Sequence, residues 1–219
     1  MKVILLGATG MVGQGVLREC LLDRDVESVL GVGRSSTGQR HDKLREIVCA
    51  DLFDLSAIET ELRGFDACFF CLGVSSAGMK EDAYRRVTYR LTLAVAGTLA
   101  RLNPAMTFLY VSGAGTDSSE RGRVMWARVK GATENALLRL PFKAACMFRP
   151  AVIVPLDGIK SKTRVYRVLY TALEPLLPLL YRMAPKYVTT TGQLGRAMIE
   201  VAKCGVPKPV LETRDINNL

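Results

Sequence analysis

The sequence predicts a doubly wound α/β fold, with a parallel sheet held between two helix layers, and three observations lead there. Apolar runs at residues 2–6, 29–32, 47–50, 67–72, 107–111 and 144–148 have the length and composition of strands. Helical segments separate several of them, notably 82–101 and 123–139. The strands are too apolar to face water on either side, as expected of a parallel sheet covered on both faces.

Taken in order, strand 2–6 leads through a glycine-rich turn into a helix carrying Val12, Val16, Leu17 and Leu21 on one side. The central strands and helices then alternate as far as Pro150. Beyond it come proline-punctuated helical stretches at 161–173 and 176–183, a helix over 191–203 and a last short strand near Val210. A chain of 219 residues, 49% hydrophobic, suits one α/β domain over 1–219, since single units of about 200–250 residues are common. Segment 155–191 is expected to form a small helical cap on the substrate side of that domain.

The 30 Lys and Arg against 21 Asp and Glu give a net charge of +9, compatible with nucleic acid, an anionic membrane or an anionic small ligand. The cations are scattered, without zinc-finger spacing, a basic zipper or an aromatic RNA-binding signature, so no nucleic-acid partner is expected. No run reaches the roughly 18 apolar residues of a membrane span, and the short apolar start does not read as a signal peptide. Residues 165–183, behind Lys160, Lys162, Arg164 and Arg167, read either as an interfacial helix or as a crevice cover broken at Pro175 and Pro178. The second reading is favoured, and membrane contact is not expected.

Six cysteines fall mostly in apolar runs, the habit of buried thiols in a reducing compartment, and point to the cytoplasm. Cys68 and Cys71 form a C-x-x-C, but in a strand residues three apart point to opposite faces, so neither a metal site nor a redox pair is expected.

The motif that decides the chemistry is Gly7-Ala8-Thr9-Gly10-Met11-Val12-Gly13, directly after the first strand and opening the first helix. Glycines let the backbone turn tightly and approach a pyrophosphate, while the N–H groups and positive end of the helix hold the anion. The third glycine lets helix and strand pack closely. These are the properties of a dinucleotide-binding Rossmann fold, although the spacing is G-x-x-G-x-x-G rather than G-x-G-x-x-G.

With that spacing the chain resembles the atypical short-chain dehydrogenase/reductase superfamily, which includes NAD(P)H-binding epimerase-like, isoflavone-reductase-like and NmrA-like proteins. The resemblance implies a nicotinamide dinucleotide. The second strand ends in Gly33-Arg34-Ser35, about twenty residues past the turn, where an NAD-specific protein places Asp or Glu on the ribose hydroxyls. An arginine there forks onto a 2′-phosphate, which favours NADP(H) over NAD(H).

Asp51-Leu52 looks like the family's pair at the adenine, with a helix N-cap as the equal alternative for Asp51. Leu72-Gly73 ends the fourth strand where relatives run backbone past the cofactor ribose. Arg149-Pro150 resembles the segment that passes beside the nicotinamide, and Thr189 to Ala197 and Leu211 to Ile216 resemble the family's late helix and closing strand. The resemblance covers nearly the whole chain.

Family members that do chemistry carry Tyr-x-x-x-Lys on one helix face, with Ser or Thr at the preceding strand end. Here Ser112 and Lys130 match, and Trp126 stands in the tyrosine position. A phenol serves as general acid/base once a lysine ammonium lowers its pKa, and an indole N–H cannot replace it. Lys130 can still bond the nicotinamide ribose, and Ser112 can still polarise a carbonyl. Tyr84, Tyr89, Thr116 or water are the candidate replacement donors, and Thr88 stands where many relatives carry a helix asparagine.

A serine hydrolase is excluded because Ser112 lacks G-x-S-x-G and the one histidine, His41, lies in a polar loop. A P-loop NTPase is excluded because no lysine follows Gly15. Two readings stay open. One is an oxidoreductase or epimerase-like enzyme acting on an unidentified small carbonyl or hydroxyl substrate. The other is a non-catalytic NADP(H) sensor that presents a surface to a protein partner, and Trp126 raises it.

Overall fold

The computed structural model describes residues 1–156, 158 and 186–219. Seven strands form one sheet: β1 (Lys2–Leu6), β2 (Ser28–Gly33), β3 (Leu44–Val48), β4 (Ala67–Phe70), β5 (Thr107–Val111), β6 (Ala144–Arg149) and β9 (Val210–Glu212). Their spatial order is β3-β2-β1-β4-β5-β6-β9, and every neighbouring pair is parallel. The order reverses between β1 and β4, which opens a crevice beyond the strand C-termini at that point.

The helices are α1 (Met11–Leu22), α2 (Glu81–Arg85), α3 (Leu91–Leu102), α4 (Met125–Leu137), α5 (Thr191–Cys204) and α6 (Thr213–Asn217). Alternation along β1 divides the core. Val3 and Leu5 pack with Val16, Leu17, Leu194 and Met198 of α1 and α5 on one face. Ile4 and Leu6 pack with Val95, Leu99 and Leu137 of α3 and α4 on the other. Cys68 lies in the second of these cores and Cys71 against the first, on opposite faces as the strand period requires.

The structure departs from expectation in three places. β3 runs Leu44–Val48 rather than 47–50, because it is the sheet edge and needs no continuous apolar run. A π-helical turn (Arg86–Arg90) interrupts the long helix between α2 and α3, and the Thr92 hydroxyl bonds the Thr88 carbonyl there at 2.6 Å. A second, two-stranded parallel sheet of β7 (Val152–Val154) and β8 (Val188–Thr190) lies outside the expected elements. The expected cap helices at 161–173 and 176–183, and most of the cap 155–191, lie outside the described residues.

Candidate functional site

The turn after β1 is built by close backbone contact. Gly7 has φ +87°, and a Cβ there would lie 2.7 Å from the Cys71 carbonyl carbon. A Cβ on Gly13 would lie 2.0 Å from the Gly7 oxygen, so only glycine lets α1 start so near the strand. Gly10 N–H bonds Gly7 O at 2.9 Å, and the helical ladder begins with Gln14 N–H to Gly10 O at 2.9 Å. The N–H groups of Met11, Val12 and Gly13 therefore point out of the helix end, where its dipole is positive.

Beside this turn is a cleft of about 340 Å³ lined by Gly7, Ala8, Thr9, Gly31 to Ser35, Glu46, Ile47, Leu52 and Leu72. It brings Gly7, Thr9, Arg34, Leu52 and Leu72 together. Arg34 is exposed, and no ion pair or hydrogen bond engages its guanidinium among the described residues. Asp51 and Gly73 are outside the cleft lining. The Asp51 carboxylate accepts from Phe53 N–H at 2.9 Å, and the next helical turn starts only at Ser56, so Asp51 closes a local turn rather than capping a helix.

The second half of the site stands at the end of β5. Ser112 N–H bonds Phe148 O at 2.7 Å, and Ala114 N–H bonds the carbonyl of Pro150 at 3.0 Å, which fixes the strand end against β6. Lys130 Nζ donates to the Ser112 carbonyl at 2.8 Å. A Cβ on Gly131 would lie 1.8 Å from the Asp117 carbonyl oxygen, so α4 is pressed against the loop that follows Ser112. Desolvation pulls the Lys130 ammonium down to about 8, with Glu134 opposing that shift.

The hydroxyls of Ser112 and Thr116 are buried and 2.9 Å apart, and Thr116 Oγ1 donates to Gly113 O at 2.7 Å. Since Thr116 has one proton and a carbonyl only accepts, Ser112 is the donor of the pair. Its lone pairs remain for an incoming hydroxyl, and the Ser112 hydroxyl must swing away from Thr116 before it can donate to a carbonyl. Trp126 lies one helical turn before Lys130, its ring edge 3.6 Å from where a Gly115 Cβ would stand.

The candidate replacement acids differ in reach. Tyr84 is buried, and burial raises its pKa, with the Thr88 side chain opposing the shift. Tyr89 carries the Arg85 guanidinium 4.3 Å above its ring. Thr116 alone of the three adjoins Ser112. Arg149 forks onto Glu134, at 3.0 and 3.1 Å from Nε, in a pair that ties β6 to α4. Sequence reasoning missed this pair and the presence of Glu46 in the cleft; for the second, the available signal was a glutamate directly before the apolar run 47–50.

The NAD dependent epimerase/dehydratase family matches residues 3–120, more than half of the sequence. The chain belongs to this family. The family's cofactor class is a nicotinamide dinucleotide, and the glycine cradle and cleft have the form such a ligand needs. The chain is 28% identical over 163 residues to "Protein FMP52-2, mitochondrial" of Scheffersomyces stipitis, covering 73% of this chain and 68% of the relative. It is 27% identical over 155 residues to Protein HTATIP2 of Rattus norvegicus, covering 70% of this chain and 63% of that protein.

Among solved structures, the Bordetella bronchiseptica enzyme WbmF in complex with NAD+ matches with TM-score 0.67 and 14% identity, over 99% of this chain and 76% of that one. DesIV, the dTDP-glucose 4,6-dehydratase of Streptomyces venezuelae, matches with TM-score 0.69 and 15% identity, over 100% and 79%. These likenesses establish the fold. Among the described residues no helix is long and apolar enough to cross a membrane.

Proposed function

We propose that this chain is an NADP(H)-binding oxidoreductase or epimerase-like enzyme acting on a small carbonyl or hydroxyl substrate, with Trp126 in place of the usual tyrosine. The observation that carries the reading is Arg34, unpaired among the described residues, in the wall of the cleft that the glycine turn opens. A charge-assisted bond from it to a 2′-phosphate is worth about 1.5–3 kcal/mol, enough for roughly tenfold or better preference over NAD(H).

In this reading the N–H groups of Met11, Val12 and Gly13, with Thr9 and Gly10 in the turn, hold the diphosphate. Leu52 and Leu72 enclose the adenosine end. Gly73 and Pro150 run beside the ribose and nicotinamide, with Asp51 at the adenine edge. The bound cofactor supplies or accepts the hydride. Ser112 positions the substrate oxygen, and Lys130 holds the strand end while its remaining protons serve the ribose hydroxyls. The cysteines lie mostly in apolar runs, as buried thiols of a reducing compartment do, which supports a cytoplasmic location in this reading.

Trp126 is the chain's one tryptophan, so its fluorescence reports ligand at this site. Titration with NADPH and NADH, repeated on Arg34→Ala, tests the reading. Tighter binding of NADPH that is lost in the variant is expected. Equal binding of both cofactors by the unaltered protein overturns the phosphate assignment.

The second reading, an NADP(H) sensor acting through a protein partner, is favoured by the same indole, since no described phenol replaces the tyrosine at the reacting end. NADPH turnover with any carbonyl compound from a broad panel supports the enzyme. Tight NADPH binding with no turnover across that panel supports the sensor.

A further inference from the structure

Glu46 stands in the wall of the adenosine cleft, and the strand register explains how it reaches there. β2 and β3 pair Gly31 with Glu46 and Val32 with Ile47, and Cys49 N–H to Gly33 O at 2.9 Å closes the ladder just past the strands. Paired residues of parallel strands project from the same face. Gly31 has no side chain, and a Cβ there would lie 3.5 Å from Glu46 Cγ and 3.7 Å from Oε1. The glutamate chain therefore lies across β2 toward the loop that β2 feeds.

Both carboxylate oxygens are engaged by that loop. Ser36 Oγ donates to Oε2 at 2.6 Å, and Thr37 N–H donates to Oε1 at 2.8 Å. The Ser36 oxygen also accepts from Gly38 N–H at 3.0 Å, so one side chain ties the carboxylate to the following turn. Burial pushes the Glu46 carboxyl up, but the bonds from Ser36 and Thr37 outweigh it and hold it below the usual carboxylate range. No ion pair joins Glu46 to Arg34, so the clamp does not consume the charge meant for a ligand.

We infer that Glu46 is a positioning residue for cofactor choice, which clamps residues 36 and 37 and so holds Arg34 in the cleft wall where a 2′-phosphate would meet it. The inference rests on the NADP(H) reading above. Between β2 and β3 the chain has no regular secondary structure, and an arginine on a free loop samples many positions. Apparent affinity falls by the fraction of time that the competent position is occupied, so a loop competent about one-tenth of the time costs about tenfold. That cost falls mainly on the ligand carrying the phosphate, because NADH lacks the 2′-phosphate with which Arg34 would form its charge-assisted bonds.

The test measures NADPH and NADH dissociation constants for the unaltered protein, Glu46→Ala, Ser36→Ala, Arg34→Ala and the Arg34→Ala/Glu46→Ala double variant. Glu46→Ala is expected to weaken NADPH by about tenfold and NADH by less than about twofold. Ser36→Ala, outside the cleft lining, is expected to weaken NADPH by roughly threefold with NADH again unchanged. The double variant is expected to bind NADPH no worse than Arg34→Ala alone, because Glu46 acts through Arg34.

An unchanged circular-dichroism spectrum and melting midpoint without ligand show that the variants fold. Equal weakening of both cofactors, weakening of NADH alone, unchanged or tighter NADPH in Glu46→Ala, or additive losses in the double variant each overturn the inference. The two failures are distinguishable. An unaltered protein without NADPH preference overturns the Arg34 reading, whereas a preference that survives Glu46→Ala overturns the clamp alone.

Discussion

At the scale of single residues the site is governed by where charge is left in poor solvent. Lys130 donates to the Ser112 carbonyl, and desolvation depresses its pKa from 10.5 to about 8. Between those two values the unfolded chain binds more protons at this position than the folded one, so stability rises with pH across the window. Below about 8 both states are protonated and the full cost of burying the ammonium is present. Urea unfolding at about pH 7.5 and about pH 9.5 should therefore show the unaltered protein gaining on Lys130→Met by on the order of 1–2 kcal/mol. A difference independent of pH would show that the ammonium is well solvated. Lys130 and Ser112 stood out in the sequence only through the resemblance to the family's Tyr-x-x-x-Lys helix and strand-end serine, and the fold brings the two together. The direction of the Ser112–Thr116 bond was not legible there, since it depends on which carbonyl takes the Thr116 proton.

At the scale of elements, the position of the phosphate cradle depends on how α1 is seated, and α1 is seated on α5 by glycines. A Cβ on Gly15 would lie 2.4 Å from Thr191 Cβ, and one on Gly195 would lie 2.8 Å from Glu19 Cγ. Glu19, buried in this contact, is held by Arg18 at 2.8 Å and Arg196 at 3.2 Å. Gly15→Ala forces two packed helices apart, and overpacking of this kind costs about 1–3 kcal/mol. Denaturant unfolding measures that loss, and NADPH affinity should fall with it because the N–H groups of Met11 to Gly13 move with the helix. An unchanged midpoint would mean that the helices separate without cost. The α1 segment was readable from its apolar period, and α5 was expected over 191–203, where the chain resembles the family's late helix. Their contact was not readable, because a glycine inside a helix signals close approach without naming the partner. β3 was placed three residues late for a related reason: an edge strand shows weak alternation, and the apolar run 47–50 continues past its end.

At the scale of the whole molecule, the alternating pattern foretold a parallel sheet, and the strand order that creates the crevice emerged only from the packing of α1 and α5 on one face and α3 and α4 on the other. A ligand that bridges this crevice touches loops from both halves of the sheet, so it binds the folded chain and not the unfolded one. Binding linkage then raises stability by about 2.7 kcal/mol when NADPH is at a hundred times its dissociation constant. A domain of this size moves about 2–4 °C per kcal/mol, so the melting midpoint should rise by about 5–10 °C. Arg34→Ala, weakened about tenfold, should keep only about half of that rise at the same NADPH concentration, while its NADH shift matches that of the unaltered protein. Differential scanning fluorimetry with both cofactors reads all four values together. No shift with either nucleotide would remove the dinucleotide from the crevice, and an NADPH shift that is equal in both proteins would remove Arg34 from the phosphate.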